Sequence, residues 1–143
     1  CYRFTKDPAY LKQSEGIADF FLNLPNMPAD GVPYWDMKMD VIKDCTPENI
    51  NPDVPRDASA AALIASGLYE LCTYVAPEKG KQYRAVVDSL NKHYRAEPGT
   101  HYGFLLLHST GHHPGGSEID VPLNYADYFY LEALARKEAL DMK

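Results

Sequence analysis

The stretch RDASAAALIASGLYELCTYV, residues 56–75, decides the fold class of this chain. A helix is expected to start near Asp57 or Ser59, because side chains of both types accept hydrogen bonds from the free amides of a first helical turn. Small residues then occupy nearly every side of the helix: Ala58, Ser59, Ala60, Ala61, Ala62, Ala65, Ser66 and Gly67. Other helices can approach such a helix closely, so we place it in the interior of the fold.

Three further stretches have apolar residues at helical spacing, and no stretch alternates as a half-buried β-strand does. Residues 77–94 are amphipathic, which predicts an outer helix with a buried side of Tyr83, Val86, Val87 and Leu90. Residues 7–23 and 122–140 predict two more helices, with expected buried sides of Leu11, Ile17, Phe20, Phe21 and Leu24 in the first and Tyr125, Phe129, Leu131 and Leu134 in the second. Such alternation of inner and outer helices is typical of stacked hairpins, and the lack of a visible repeat favours an α/α toroid over a solenoid.

The composition indicates one globular domain of the all-α class. The chain has 143 residues, of which 45% are hydrophobic and 24% charged, enough for one core. A net charge of −6 argues against a nucleic-acid-binding face, and no apolar run is long enough for a membrane span. The first ten residues lack the apolar run of a signal peptide and an initiator Met, so we expect a piece of a longer protein.

The cysteines point to no disulfide framework and no zinc ribbon. Cys1, Cys45 and Cys72 are an odd number with wide spacings. We therefore expect each to be a buried free thiol.

A proline-rich connection, residues 25–55, contains the only tryptophan, Trp35, between Tyr34 and Asp36. Compact domains seldom contain so long a connection unless it is functional or packed as a lid. A tryptophan ring that stacks on a sugar beside a carboxylate is common in carbohydrate sites. The alternative is that Trp35 anchors the connection in the core.

The segment HSTGHHPGGSEID, residues 108–120, is the densest polar stretch. His108 and His112 have the spacing of zinc ligands on a helix, but the surrounding glycines and proline make a helix implausible there, so no metal is expected. The imidazoles could instead be hydrogen-bonded spacers. The interpretation we adopt is that the segment is a substrate loop, in which glycines let the backbone approach a ligand while His and Ser supply hydrogen bonds.

Two smaller features surround the start of the interior helix. Capping alone would explain Asp57 and Ser59, while Arg56 beside a helix N-terminus could help to hold an anion. A glycosidase needs two carboxyl groups across a cleft. Asp36, Asp57 and Asp120 are candidates, but the sequence does not show that any two face each other.

Three quoted motifs carry a family resemblance: VPYWDMK, RDASAAALIASGLYEL and LLHSTGHHPGGSEIDVPLNYADYFYLEAL. Together they resemble the carboxy-terminal part of the unsaturated glucuronyl hydrolases, glycoside hydrolase family eighty-eight, and the first 25 residues fit the segment before them. The resemblance implies that residues 1–143 are a single carboxy-terminal fragment, about the last third, of one (α/α)6 toroid of six helical hairpins. It also implies that no metal or cofactor is needed.

The resemblance further implies a reaction. Family members remove a 4,5-unsaturated uronic acid from the non-reducing end of oligosaccharides left by polysaccharide lyases. An aspartic acid protonates the C4=C5 bond and activates water to attack C5, which is general acid–base catalysis. The two aspartates implicated in the family precede the matched region, so we expect no catalytic residue in this chain and no activity from it alone.

A share of the substrate site is implied by the same resemblance. The loop contacts the sugar next to the unsaturated residue, which makes His112, Gly115 and Ser117 candidates. Four further residues match family positions as contacts or supports: Trp35, Asp36, Arg56 and Asp57. Some members use a Ser and a Lys there to hold a sulfate, and the missing Lys argues against a sulfated substrate. Expected partners are oligosaccharides, and a periplasmic location is favoured over a cytoplasmic one. Alternatives are an unsaturated rhamnogalacturonyl hydrolase, a non-catalytic carbohydrate-binding module and a metal-dependent hydrolase.

Overall fold

Helices dominate the chain, as predicted from the sequence. A computed structural model describes residues 1–37 and 53–142, without the Val86 side chain. Its α-helices are α1 (Tyr2–Thr5), α2 (Pro8–Leu22), α3 (Ala58–Leu71), α4 (Pro77–Ser89) and α5 (Asn124–Asp141), and a π-helical turn, Leu90–Tyr94, continues α4. Two short 3-10 turns lie at His101–Gly103 and His113–Gly115. Extended backbone pairs only as isolated bridges within the described part, so the all-α prediction is confirmed.

Aspartates cap α2 and α3, and the cap of α3 at Asp57 agrees with the prediction from the sequence. The Asp7 carboxylate accepts from the Ala9 amide at 2.9 Å, with Pro8 in the first turn of α2. The Asp57 carboxylate accepts from the Ser59 amide at 3.0 Å at the start of α3. These bonds satisfy amides that have no partner inside the helix. By contrast, α5 begins at Asn124 rather than at Pro122, because Leu123 is still extended, with φ −131° and ψ 137°.

The interior helix is α3, and its small residues determine how it packs. Ala58, Ala61, Ala62 and Ala65 are fully buried. The most extensive helix–helix contact joins α3 to α5, and α4 packs against α3 as well. On α5 the buried residues are Ala126, Tyr130 and Ala133, spaced four and three apart. Alanines on both helices let the backbones approach, which is why small residues fill this interface.

The predicted buried side of α5 was wrong for two residues. Tyr125 is 43% exposed and Leu131 is 52% exposed. The close approach of α3 selects the small residues of α5 for the interface. Phe129 and Leu134 are partly buried against the core cluster.

The predicted buried stripe of α2 was also wrong for two residues. Ile17 is 55% exposed and Phe20 is 66% exposed, whereas Phe21 is 2% exposed. The side of α2 that contains Ala18 and Phe21 faces the core, and Ile17 and Phe20 lie beside it on the outer surface.

The outer helix α4 agrees with its prediction. Tyr83, Val87 and Leu90 are buried, and the predicted side-chain position of Val86 lies outside the described part. Lys79 of α4 joins it to α2, with its Nζ 2.9 Å from carboxylate oxygens of both Glu15 and Asp19. Hydrogen bonds to Asp19 and Glu15 raise the pKa of Lys79, so this link stays charged.

The cysteine prediction holds in part. Cys1 is exposed and Cys72 is half-buried, and both are free thiols, while Cys45 lies outside the described residues. Burial was therefore the wrong expectation for Cys1. Burial does raise the pKa of the Cys72 thiol. Among the helices described, none combines the length and apolarity that a membrane crossing needs.

Candidate functional site

The predicted substrate loop is a short folded-back segment over the N-terminus of α3. Ser109 and Val121 exchange two backbone hydrogen bonds, at 3.0 and 2.9 Å, and the Gly111 amide donates to the Glu118 carbonyl at 2.8 Å. Gly116 then turns the chain with φ 69°, in the left-handed region that glycine enters without strain. At its base the His108 carbonyl accepts from the Ala58 amide at 3.0 Å. The segment is thereby fixed to the interior helix, and its tip is residues 112–117.

Three of the predicted site residues meet at this tip. His112 Nδ1 lies 3.3 Å from Ser117 Oγ. A Cβ atom on Gly115 would lie 2.2 Å from His112 Cε1, so the imidazole can occupy its place only because residue 115 is glycine. All three residues are exposed. The tip therefore presents an imidazole and a hydroxyl, which can donate and accept hydrogen bonds, on a close backbone turn.

Trp35 contacts the same loop. Its ring stacks on His113, with centroids 4.3 Å apart and planes at 9°. One face of the indole is therefore covered by the loop. The Trp35 indole nitrogen is buried, and no acceptor is found for it among the described residues. The structure thus brings Trp35 into the neighbourhood of His112, Gly115 and Ser117.

Arg56 and Asp57 lie beneath the loop. The Arg56 side chain is 2% exposed, and its guanidinium donates to both oxygens of Asp30, at 3.1 and 2.9 Å, and to the Val32 carbonyl. Asp57 accepts from the Ser59 hydroxyl at 2.6 Å and from the Thr110 amide at 3.3 Å, in addition to its cap. Both residues support the loop, and contact between either of them and substrate stays a prediction.

Tyr125 places one more hydroxyl beside the loop. Burial raises the pKa of its hydroxyl, the Ser59 hydrogen bond lowers it, and the Asp57 and Glu118 carboxylates raise it further. The group therefore remains a protonated hydroxyl at neutral pH. The apolar spacing of α5 predicts Tyr125 on the buried side of the helix, so the position of its hydroxyl beside the loop does not follow from the sequence.

The structure also shows a polar pair that was not predicted from the sequence. His108 Nδ1 lies 2.7 Å from Asp120 Oδ1. From the sequence, His108 is a candidate metal ligand, a hydrogen-bonded spacer or part of a substrate loop, without a pairing with Asp120. The sequence feature that could have indicated this pair is the turn centred on residues 114–115, because such a turn brings the segments before and after it opposite each other. Its register, Ser109 against Val121, is visible only in the structure.

No metal centre is apparent in the described ranges. Nowhere in residues 1–37 and 53–142 do three His, Cys, Asp or Glu side chains gather closely enough to hold an ion. The expectation of no zinc stays a prediction, which elemental analysis of the purified chain can test.

Comparisons with known proteins identify what this arrangement resembles. The chain is 42% identical, over 99% of its own length, to the unsaturated glucuronyl hydrolase of Formosa agariphila, of which it covers 34%. It is 32% identical, over 94% of its length, to an unsaturated chondroitin disaccharide hydrolase of Streptococcus pneumoniae, of which it covers 33%. The chain thus spans about a third of the length of these relatives. No family model matches it.

Solved structures agree with the sequence comparison. The crystal structure of an unsaturated glucuronyl hydrolase specific for heparin is 41% identical with a TM-score of 0.86, over 99% of this chain and 37% of that one. The unsaturated glucuronyl hydrolase of Bacillus sp. GL1, described as responsible for glycosaminoglycan degradation, is 28% identical with a TM-score of 0.79, over 96% of this chain and 35% of that one. The resemblance and the predicted fold, part of an (α/α)6 toroid, are therefore confirmed.

Proposed function

We propose that this chain forms about a third of a glycoside hydrolase that removes a 4,5-unsaturated uronic acid from the non-reducing end of lyase-generated oligosaccharides. The observation that carries the proposal is the 42% identity to an unsaturated glucuronyl hydrolase over 99% of the chain. Below, "full-length protein" means the longer polypeptide to which we propose that the chain belongs.

Within that enzyme, the proposed role of the chain is to bind the sugar rather than to transfer protons. The reaction needs a carboxyl group that is free to protonate the C4=C5 bond. Two carboxylates beside the loop are already engaged: Asp57 caps α3 and accepts from Thr110, and Asp120 pairs with His108. These contacts support a positioning role for both, with proton transfer supplied from outside this chain.

The binding surface proposed is the loop tip with the indole behind it. His112 and Ser117 offer exposed polar atoms to sugar hydroxyls, and Gly115 leaves room for them. No Lys occurs in residues 108–121. An ammonium group would attract a sulfate, so its absence supports a preference for unsulfated sugars at this subsite.

We further propose that the remaining helices of the toroid cover one flank of this chain. An apolar groove of about 360 Å³ runs between α1, α2 and α3, and two of the residues that line it, Ile17 and Leu63, are 55% and 50% exposed. The similar enzymes are about three times as long as the chain, so their remaining helices are the natural occupant. On its own the chain should associate through this flank. A monodisperse monomer in light scattering would count against the proposal.

The activity test follows the ultraviolet absorbance of the conjugated double bond during incubation with unsaturated uronyl disaccharides. We expect the full-length protein to abolish the absorbance, with unsulfated disaccharides preferred over sulfated ones. The 143-residue chain alone should leave it unchanged. Absence of turnover by the full-length protein on every unsaturated uronide would overturn the proposed function, and turnover by the chain alone would overturn its binding-only role.

A further inference from the structure

His108 and Asp120 form a pair that the loop tip does not require. They lie twelve residues apart and face each other at the base of the loop, with Nδ1 and Oδ1 at 2.7 Å. The side chains are 27% and 34% exposed, so the pair opens to solvent. A carboxylate accepts only, so the imidazole must donate its Nδ1–H. In the neutral imidazole Nε2 is then an acceptor, and its direction is set by Asp120.

The backbone of the pair is strained. Among the described residues, six that are not glycine have left-handed φ angles, and three of them belong to this loop: His108 at 63°, Glu118 at 52° and Asp120 at 53°. Such a conformation is uncommon for residues with a Cβ atom and tends to be kept where the surroundings determine it. Both members of one hydrogen-bonded pair are held in this way. Strain of this kind clusters at ligand sites.

The pair is also anchored from behind. The rings of Tyr94 and His108 meet edge to face, with centroids 5.9 Å apart and planes at 83°. Tyr94 is fully buried, and its hydroxyl donates to Asp30 Oδ2 at 2.9 Å. The same Asp30 carboxylate pairs with Arg56. The imidazole is thus oriented by a buried network on one side and by Asp120 on the other.

We propose that His108 contacts the bound sugar, with Nε2 accepting a hydrogen bond from a hydroxyl group, and that Asp120 is its positioning residue. This inference rests on the proposed function and adds a ligand contact to the predicted set. A pair that served the fold alone would not need a partly exposed imidazole on a left-handed backbone. A sugar hydroxyl is the matching chemical group, since it can donate to the acceptor nitrogen of a neutral imidazole.

Two substitutions separate ligand contact from structural support. The amide of Asn reaches the position of Nδ1, and the amide of Gln reaches the position of Nε2. His108→Asn can therefore keep a bond to Asp120, and Asn tolerates the left-handed backbone better than most residues. His108→Gln instead offers an acceptor oxygen to the ligand. If His108 contacts the sugar, His108→Asn weakens sugar binding and His108→Gln retains most of it. If His108 only supports the loop, His108→Gln is the variant that weakens binding more.

The experiment measures KM and kcat of the full-length protein on an unsaturated uronyl disaccharide, with thermal unfolding of each variant. We expect His108→Asn to raise KM about 2- to 10-fold, the range of one neutral hydrogen bond, with an unchanged unfolding temperature. His108→Gln should stay within about twofold of the unsubstituted protein. Asp120→Ala should raise KM in the presence of His108 and have no further effect together with His108→Asn, because it acts through the imidazole.

Equal KM values for the Asn and Gln variants would overturn the inference, and so would a rise in KM that follows a loss of thermal stability. Failure of the proposed function is seen separately, as absence of turnover by the unsubstituted protein. In that case binding of a glucuronate-containing disaccharide, measured by calorimetry on the same variants, decides the inference. Weaker binding by His108→Asn than by His108→Gln supports it, and no binding by any form overturns it.

Discussion

Two acid–base pairs lie on either side of Tyr94, and they differ in their exposure to solvent. Arg56 and Asp30 have 2% and 13% of their side chains exposed, and three hydrogen bonds hold the guanidinium. His108 and Asp120 are 27% and 34% exposed, with one bond between them. The first pair joins the proline-rich connection to the start of α3. The second lies at the base of the loop that overlies the same helix.

The difference in burial indicates that the two pairs have different roles, one in stability and one in orienting a side chain. An ion pair withdrawn from water must remain intact, because removal of one partner leaves an uncompensated charge in the interior. A solvated pair contributes little to stability, and its partner mainly fixes direction. From the sequence, the His-rich loop is predicted to be a substrate loop, whereas Arg56 is either a ligand contact or a support. Burial separates a residue that supports the site from residues that are available to a ligand.

The largest effect on stability is expected from the buried pair. Arg56→Ala leaves Asp30 without its main partner and should lower the free energy of unfolding by about 3–5 kcal/mol. Chemical denaturation monitored by circular dichroism measures this loss. Arg3→Ala is the matched control, since Arg3 is 54% exposed and 3.7 Å from Glu70, and it should change stability by no more than about 0.5 kcal/mol. Similar losses for the two variants would contradict the separation of the pairs by burial.

A smaller loss is expected where the two pairs meet. Tyr94→Phe removes the hydroxyl that donates to Asp30 and keeps the ring contact with His108. Loss of a hydrogen bond to a charged group should lower the free energy of unfolding by about 1.5–3 kcal/mol. Tyr102→Phe is the control, because Tyr102 is fully exposed. Histidine-selective NMR should find the His108 ring signals unmoved, and a large shift would indicate that Asp30 orients the imidazole more strongly than the ring contact does.

How much could be predicted from the sequence depended on the range of the interaction. The position of α3 followed from its own composition, and its cap from Asp57. The buried side of α5 did not follow, because close approach to α3 chose Ala126 and Ala133 over Leu131, and that choice depends on the neighbouring helix.

In the candidate site, the same limit applies. The loop could be predicted from its glycines and histidines. The stack of Trp35 on His113 and the pairing of His108 with Asp120 depend on contacts or register that no local pattern contains.

The smallest effect on stability is expected at the loop tip, where function should be most sensitive. His112→Ala removes an exposed imidazole whose contact with Ser117 is 3.3 Å, so the free energy of unfolding should change by less than about 0.5 kcal/mol. If His112 donates to the sugar, kcat/KM of the full-length protein should fall about two- to a hundredfold, the range from one neutral hydrogen bond to one contact with a charged group. Unfolding of this variant would show that His112 is a structural spacer.

Gly115→Val addresses the same tip by a steric route. The Cβ atom of the new valine would collide with the His112 ring, 2.2 Å away at Cε1. The imidazole must therefore move, although His112 itself is not substituted. We therefore expect a loss of kcat/KM at least as large as that of His112→Ala, and a greater one for longer oligosaccharides, which occupy the adjoining subsite. Because the displaced ring lies in solvent, stability should again change little. Unchanged kinetics on short and long substrates, in a variant that remains folded, would mean that the tip does not bind sugar. Of the exposed part of the loop, only His108 and Asp120 would then remain as proposed ligand-site residues.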